Sequence, residues 1–118
     1  MAAGIATLDV YEDLNLFNRA NDMAPYFEEL IHSMKGLPNV VDCRNIGMMG
    51  AVELKAMPGA PTKRSSDIFD RCFSKGLLVR ATGQTIALSP PLICEKKDLA
   101  RIVSILSEAI HESDKMCK

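Results

Sequence analysis

Three segments of this chain carry apolar residues at helical spacing along one face, and the stretches between them read as short strands. From Asn18 to Lys35 the stripe is Ala20, Met23, Ala24, Phe27, Leu30, Ile31 and Met34, and Gly36 and Pro38 end it. From about Lys63 to Lys75 the pattern buries Ile68, Phe69, Cys72 and Phe73 and closes at Gly76. From about Glu95 to Glu112 the stripe is Leu99, Ile102, Val103, Leu106, Ala109 and Ile110, with Glu95 and Asp98 placed to favour the helix dipole. A helix with one apolar face has to bury it against another layer. That requirement limits the architecture more than any other feature of the sequence.

The other layer comes from four short segments. Val40 to Arg44 and Met48 to Lys55 flank an Asn45-Ile46-Gly47 turn, with Val52 and Leu54 on one face of the second. Leu77 to Arg80 and Thr85 to Leu88 flank Ala81-Thr82-Gly83-Gln84, a connection suited to a hairpin, and Ser89-Pro90-Pro91 stops the last strand. Met57-Pro58-Gly59-Ala60-Pro61 denies both helix and ladder. Ala2 to about Leu16 reads as a further helix, with Ile5, Leu8 and Tyr11 at helical spacing but no capping residue in Met1-Ala2-Ala3-Gly4. The expected fold is α+β: a small, largely antiparallel sheet with helices on one face, in the order ααββαββα. Residues 1–118 are expected to form a single domain, a length that allows a real core.

Charge and cysteine usage exclude several functions. The formal net charge is -1, from 14 basic and 15 acidic residues that are interspersed. A nucleic-acid surface needs a sustained basic stripe, which is missing. No stretch approaches a membrane span, and no signal peptide is visible. Cys43, Cys72, Cys94 and Cys117 form no CxxC pair, and His32 and His111 complete no zinc spacing. Reduced, structural cysteines and a cytoplasmic location are expected.

Generic catalytic motifs are absent: no P-loop, GxGxxG, HExxH or GxSxG occurs. His32, beside Ile31 and without an orienting neighbour in sequence, reads as structural, and Glu53 reads as a solvent-facing strand residue.

One stretch does stand out, Lys75-Gly76-Leu77-Leu78-Val79-Arg80-Ala81-Thr82-Gly83-Gln84-Thr85-Ile86-Ala87-Leu88-Ser89-Pro90-Pro91-Leu92-Ile93. It resembles the C-terminal signature of class III pyridoxal-phosphate-dependent aminotransferases, above all the omega-amino-acid:pyruvate branch. Val41 to Leu54, containing Asp42, Arg44, Gly47, Gly50, Glu53 and Leu54 in the spacing D-x-R-x-x-G-x-x-G-x-x-E-L, is similar to a hairpin of the family. Ala2 to Asp9 resembles the helix that follows the family's large domain. The likeness runs through the chain in family order.

That resemblance implies a role for Arg80, which matches the arginine that binds the carboxylate of amino-acid and keto-acid substrates in this branch. A guanidinium suits the task, because it grips a carboxylate bidentately and stays charged at any working pH. From pattern alone, Arg80 reads as a solvated strand-end residue. Gln84 departs from the family, which often carries aspartate there, so a charge near Arg80 is missing. The resemblance also implies that Met1 stands where relatives continue upstream, and that the aldimine lysine and phosphate cradle belong to the large domain. The eight lysines here all fall at element ends, in loops or in the tail.

The expectation is therefore a C-terminal fragment that is inactive alone. It binds no pyridoxal phosphate, takes a substrate carboxylate weakly through Arg80, and self-associates through apolar faces, the helix from Ala2 to about Leu16 and Pro90-Pro91-Leu92-Ile93 among them. Alternatives are a free-standing carboxylate-binding regulatory domain and an oligomerisation module.

Overall fold

Both hairpins of the sheet close through a glycine in the left-handed region of backbone space. The computed structural model describes residues 1–116, so Cys117 and Lys118 lie outside the described residues. Strands β1 (Val40–Ile46) and β2 (Met49–Leu54) meet at Gly47-Met48, and β3 (Arg80–Thr82) and β4 (Thr85–Leu88) meet at Gly83-Gln84. Gly47 has φ 52° and Gly83 φ 58°. Two-residue loops with glycine first match the twist of the strands they join. All neighbouring strands are antiparallel, in the order β1-β2-β4-β3.

The turns are tighter than the sequence suggested. β1 extends to Ile46, and β3 occupies Arg80–Thr82 instead of Leu77–Arg80. Arg80 therefore opens its strand and does not close it. In the register set by Arg80 opposite Ala87, residues before Val79 would face Ser89-Pro90-Pro91 beyond the end of β4, and proline has no N–H to donate.

The helices are α1 (Ala2–Asp13), α2 (Leu16–His32), α3 (Lys63–Ser74) and α4 (Lys96–Met116), with a 3-10 turn at Ser33–Gly36. The α+β order ααββαββα stands as expected. Cys43, Val52, Leu54, Ile86 and Leu88 are buried beneath the helices, whereas Asp42, Arg44, Ala51, Glu53 and Ala87 on the opposite face are exposed or half-buried. The helix stripes supply Phe27, Ile31, Ile68, Leu99, Leu106 and Ile110 to the same buried cluster. Each such side chain contributes roughly 1.5–3 kcal/mol relative to exposure.

On α3 the buried stripe is Arg64, Ser65, Ile68 and Cys72. Phe69 is half-buried and Phe73, expected inside, is exposed, because both lie at the margin of that stripe; their rings stack with centroids 6.3 Å apart. Cys43 and Cys72 are buried, Cys94 is half-buried, and none of the three is in a disulfide. Burial raises all three thiols, that of Cys72 to about 11, which makes them poor nucleophiles.

The first helix breaks earlier than expected. Asn15 adopts the left-handed conformation (φ 48°, ψ 48°), which asparagine tolerates better than most residues, and its side-chain oxygen accepts from Asn18 Nδ2 at 2.8 Å. α1 buries no residue, and Ile5 and Leu8 are 61% and 62% exposed. The radius of gyration, 15.7 Å, exceeds the roughly 13.5 Å of a compact chain of this length because α1 projects. Leu92 turns partly inward against the core, contrary to its expected place in an apolar surface run, while Ile93 stays exposed. Arg19 fixes this loop by donating from Nη1 to the carbonyls of Leu92 (2.7 Å) and Cys94 (2.9 Å). At the start of α4, Asp98 Oδ2 accepts from the Glu95 amide at 2.9 Å, one half of a capping box.

Two features generate tests of the packing. A Cβ at Gly50 would stand 2.8 Å from Ile31 Cδ1 and 3.1 Å from Phe27 Cε1, so α2 rests directly on the β2 backbone. Gly50→Ala is expected to lower stability by about 1–3 kcal/mol, measured by urea unfolding. α3 and α4 are joined by Arg71 to Glu112 (3.2 Å) and by Lys75 to Glu108 (3.0 Å) and Glu112 (3.1 Å). Hydrogen bonds from Lys75 and Arg71 hold the Glu112 carboxyl below its ordinary 4.5. A carboxyl with a depressed folded-state value contributes stability that is present above its unfolded value and lost as pH falls through the folded one. Unfolding midpoints should therefore drop on acidification below about pH 4.5, and Glu112→Gln should flatten that part of the profile.

Candidate functional site

One cross-strand row on the outer face of the sheet holds the charged residues of interest. Its register runs Arg44–Ala51–Ala87–Arg80 across β1, β2, β4 and β3. Strand alternation puts these side chains opposite the core, and the two alanines form a shallow floor between two arginines.

The arginines differ in their commitments. Arg44 Nη1 lies 2.9 Å from Asp42 Oδ2 and 2.9 Å from Glu53 Oε2. Hydrogen bonds to Asp42 and then Glu53 raise the guanidinium further above its ordinary value. Asp42 and Glu53 are direct partners across β1 and β2, so Arg44 separates two like charges. Arg80 is exposed and, among the described residues, its side chain has no hydrogen-bond or ion-pair partner.

Arg80 also lies where two hollows meet. One, of about 830 Å³, runs between α3 and the β3 edge and is lined by Phe69, Leu77, Pro91 and Ile102, with Ser66 and Asp70 as polar groups. The other, of about 440 Å³, covers the alanine floor and reaches Arg44, Ile46 and Met49. Arg80 is the one charged side chain that lines both. The arrangement offers an uncommitted, permanently charged donor over mainly apolar walls, which suits a small ligand with one carboxylate.

The hairpin bearing Arg80 is held at its turn. Ser65 Oγ on α3 donates to the Gly83 carbonyl at 2.6 Å and lies 2.9 Å from the Thr62 carbonyl. The Gln84 carbonyl accepts from the Leu54 amide at 2.9 Å. Next to Ser65, the buried Arg64 donates from Nε to the Lys55 carbonyl at 3.1 Å. Sequence reading did not find Ser65 or the alanine floor. The floor follows only from strand register, and the serine only from how α3 meets the turn.

Other residues considered from sequence form no second centre. His32 Nε2 lies 3.1 Å from Asn45 Oδ1, an orienting contact that sequence neighbours did not reveal, with no nucleophile at hand. Glu53 faces outward as expected but is engaged by Arg44. Among the described residues no group of histidine, cysteine and carboxylate side chains is placed to hold a metal, and no helix is long and apolar enough to cross a membrane.

Comparison with known proteins places this geometry among relatives. The sequence profile of the family described as aminotransferase class III matches residues 1–110. An omega-aminotransferase of Caulobacter vibrioides is 44% identical over 113 residues, covering 96% of this chain and 26% of that protein. A beta-alanine–pyruvate aminotransferase of Pseudomonas aeruginosa is 33% identical over 110 residues, covering 93% and 25%. Among solved structures, an aminotransferase from Vibrio fluvialis in its PMP-bound form superposes with TM-score 0.83 at 27% identity, covering 93% of this chain and 26% of that one. The chain thus spans about a quarter of the length of the curated relatives it matches.

The contrast between the two arginines is testable by substitution. Arg80→Gln should leave stability within about 0.5 kcal/mol of the parent, as for an exposed residue without partners. Arg44→Gln should lower the urea midpoint measurably, because it leaves Asp42 and Glu53 facing each other across β1 and β2.

Proposed function

The chain belongs to the class III aminotransferase family, and on that premise we propose that it is the C-terminal domain of an omega-aminotransferase, with Arg80 gripping the carboxylate of its amino-acid and keto-acid substrates. The observation that carries this reading is the division of labour along the outer row. Arg44 is occupied by Asp42 and Glu53, while Arg80 is exposed and uncommitted where two hollows meet. An arginine already holding two carboxylates has to release one before it can take another. Arg80 is under no such restraint.

The parent reaction on this proposal moves an amino group from an amine or omega-amino acid to pyruvate or a similar keto acid, in the cytoplasm. Two relatives bear the names omega-aminotransferase and beta-alanine–pyruvate aminotransferase, which supports that branch.

Enzymes of this family use pyridoxal phosphate, whose chemistry needs a lysine of lowered pKa. The described residues do not fit that group. Lys35, Lys55, Lys63, Lys96, Lys97 and Lys115 are exposed. Lys75 is half-buried but sits between Glu108 and Glu112, whose hydrogen bonds raise its pKa. The chain's contribution is then substrate binding and orientation through Arg80, and the bond-making groups lie elsewhere in the parent. Alone, Arg80 should hold a free carboxylate weakly, since one exposed ion pair is worth about 0–1 kcal/mol.

The test is to mix the purified chain with pyridoxal phosphate, pyruvate and an amine donor and to follow absorbance and alanine formation. No turnover is expected. Saturable, lysine-dependent absorbance with turnover, abolished by one lysine substitution, would sink the proposal.

The bare surface of α1 favours self-association as a second property of the isolated chain. Ile5, Leu8 and Val10 are all exposed on a helix that buries nothing of its own. Sedimentation should give a mass that rises with concentration, and Ile5→Glu with Leu8→Glu should return it to that of a monomer. A wild-type monomer at high concentration would contradict this.

A further inference from the structure

We infer that Ser65 is a positioning residue for carboxylate recognition, setting where Arg80 stands by pinning the β3–β4 turn to α3. This inference rests on the reading of Arg80 as the carboxylate-binding residue. β3 is an edge strand of three residues, all exposed, so little packing defines its place. What holds it is the ladder to β4 and the turn between them.

Both carbonyls of that turn are fastened, in different directions. Gln84 accepts from the β2 backbone, and Gly83 accepts from Ser65, which is only 1% exposed. The Ser65 hydroxyl has one proton. Its contact with Gly83 oxygen (2.6 Å) is shorter than that with Thr62 oxygen (2.9 Å), and it spans eighteen residues of sequence. Arg64 fixes the same turn of α3 to the carbonyl just beyond β2, so the point from which Ser65 reaches is itself anchored. A serine at this buried position is not explained by core packing, which an alanine would serve as well. Its hydroxyl is the donor that α3 gives the Gly83 carbonyl, and without it the turn loses that tie and can shift. Arg80 lies three residues from Gly83, paired with Ala87, so such a shift moves the base of its side chain relative to both hollows.

The experiment uses the 118-residue chain, ¹⁵N-labelled, titrated with pyruvate. The readout is the initial slope of the amide shifts of Ala81 and Ala87 against concentration, which stays proportional to affinity when binding is weak. Ser65→Ala should lower that slope about threefold or more. Amide protection in α2 and α4 should be unchanged, and Ser65→Thr, which keeps the hydroxyl, should restore the slope. If Ser65→Ala does not fold, Ser65→Cys supplies the same shape with a far weaker donor. A wild-type slope in the donor-poor variant, or a Thr variant as weak as Ala, overturns the role of Ser65. Arg80→Gln separates the two readings: it should abolish the shifts. If it leaves them intact, the assignment of Arg80 fails and this inference with it. If it abolishes them while Ser65→Ala changes nothing, only the role of Ser65 falls.

Discussion

Phe27 and Ile31 seat on the bare backbone of Gly50, and the rest of the molecule is arranged around that closeness. With no side chain beneath it, α2 lies low on the central strands, and the remaining apolar positions of β2 and β4 close over with Ile68, Leu99 and Leu106. The position of α2 then fixes things far from Gly50. Arg19 on the same helix holds the loop after β4 by two carbonyls, and that loop leads into α4. Bulk at residue 50 would therefore disturb the connection between sheet and last helix as well as one packing contact. One face of the sheet is sealed by this arrangement, which leaves the other free to carry polar chemistry.

Much of the fold was legible because its signals are periodic. The stripes of α2, α3 and α4 and the alternation in β2 report burial on one side, and they name the layers and their order. The boundaries were less legible where a single residue decides them. Asn15 breaks the first helix by its backbone conformation, which composition does not announce. Gly47 and Gly83 tighten each hairpin to a two-residue turn, lengthening β1 and moving β3 onto Arg80. Phe73 was misplaced because one residue beyond a helical stripe is enough to face water.

The site was legible only as a residue type. An arginine at position 80 is readable, and the resemblance suggests its use. That Arg44 shares its row, and is neutralised there by Asp42 and Glu53, depends on register. The same chemistry thus takes two forms on one sheet. One guanidinium separates two carboxylates and serves structure, while the other projects from an edge strand into open hollows. Sequence separates these roles poorly, because commitment is a property of neighbours across strands.

The left-handed joint at Asn15 and the bare surface of α1 together limit how far folding cooperativity extends. A 12-residue helix with no buried side chain draws little from the core, and isolated helices of that length are marginal in water. The Tyr11–Phe17 ring stack, with centroids 5.3 Å apart, is one of the few ties across the joint. Little in the core therefore supports α1, which puts it at the low end of the chain's local stability. Any surface that covers Ile5 and Leu8 supplies the packing this helix lacks and restrains it as it binds. The association then carries an entropic cost set by α1, and the helical content of that segment reports whether the surface is occupied.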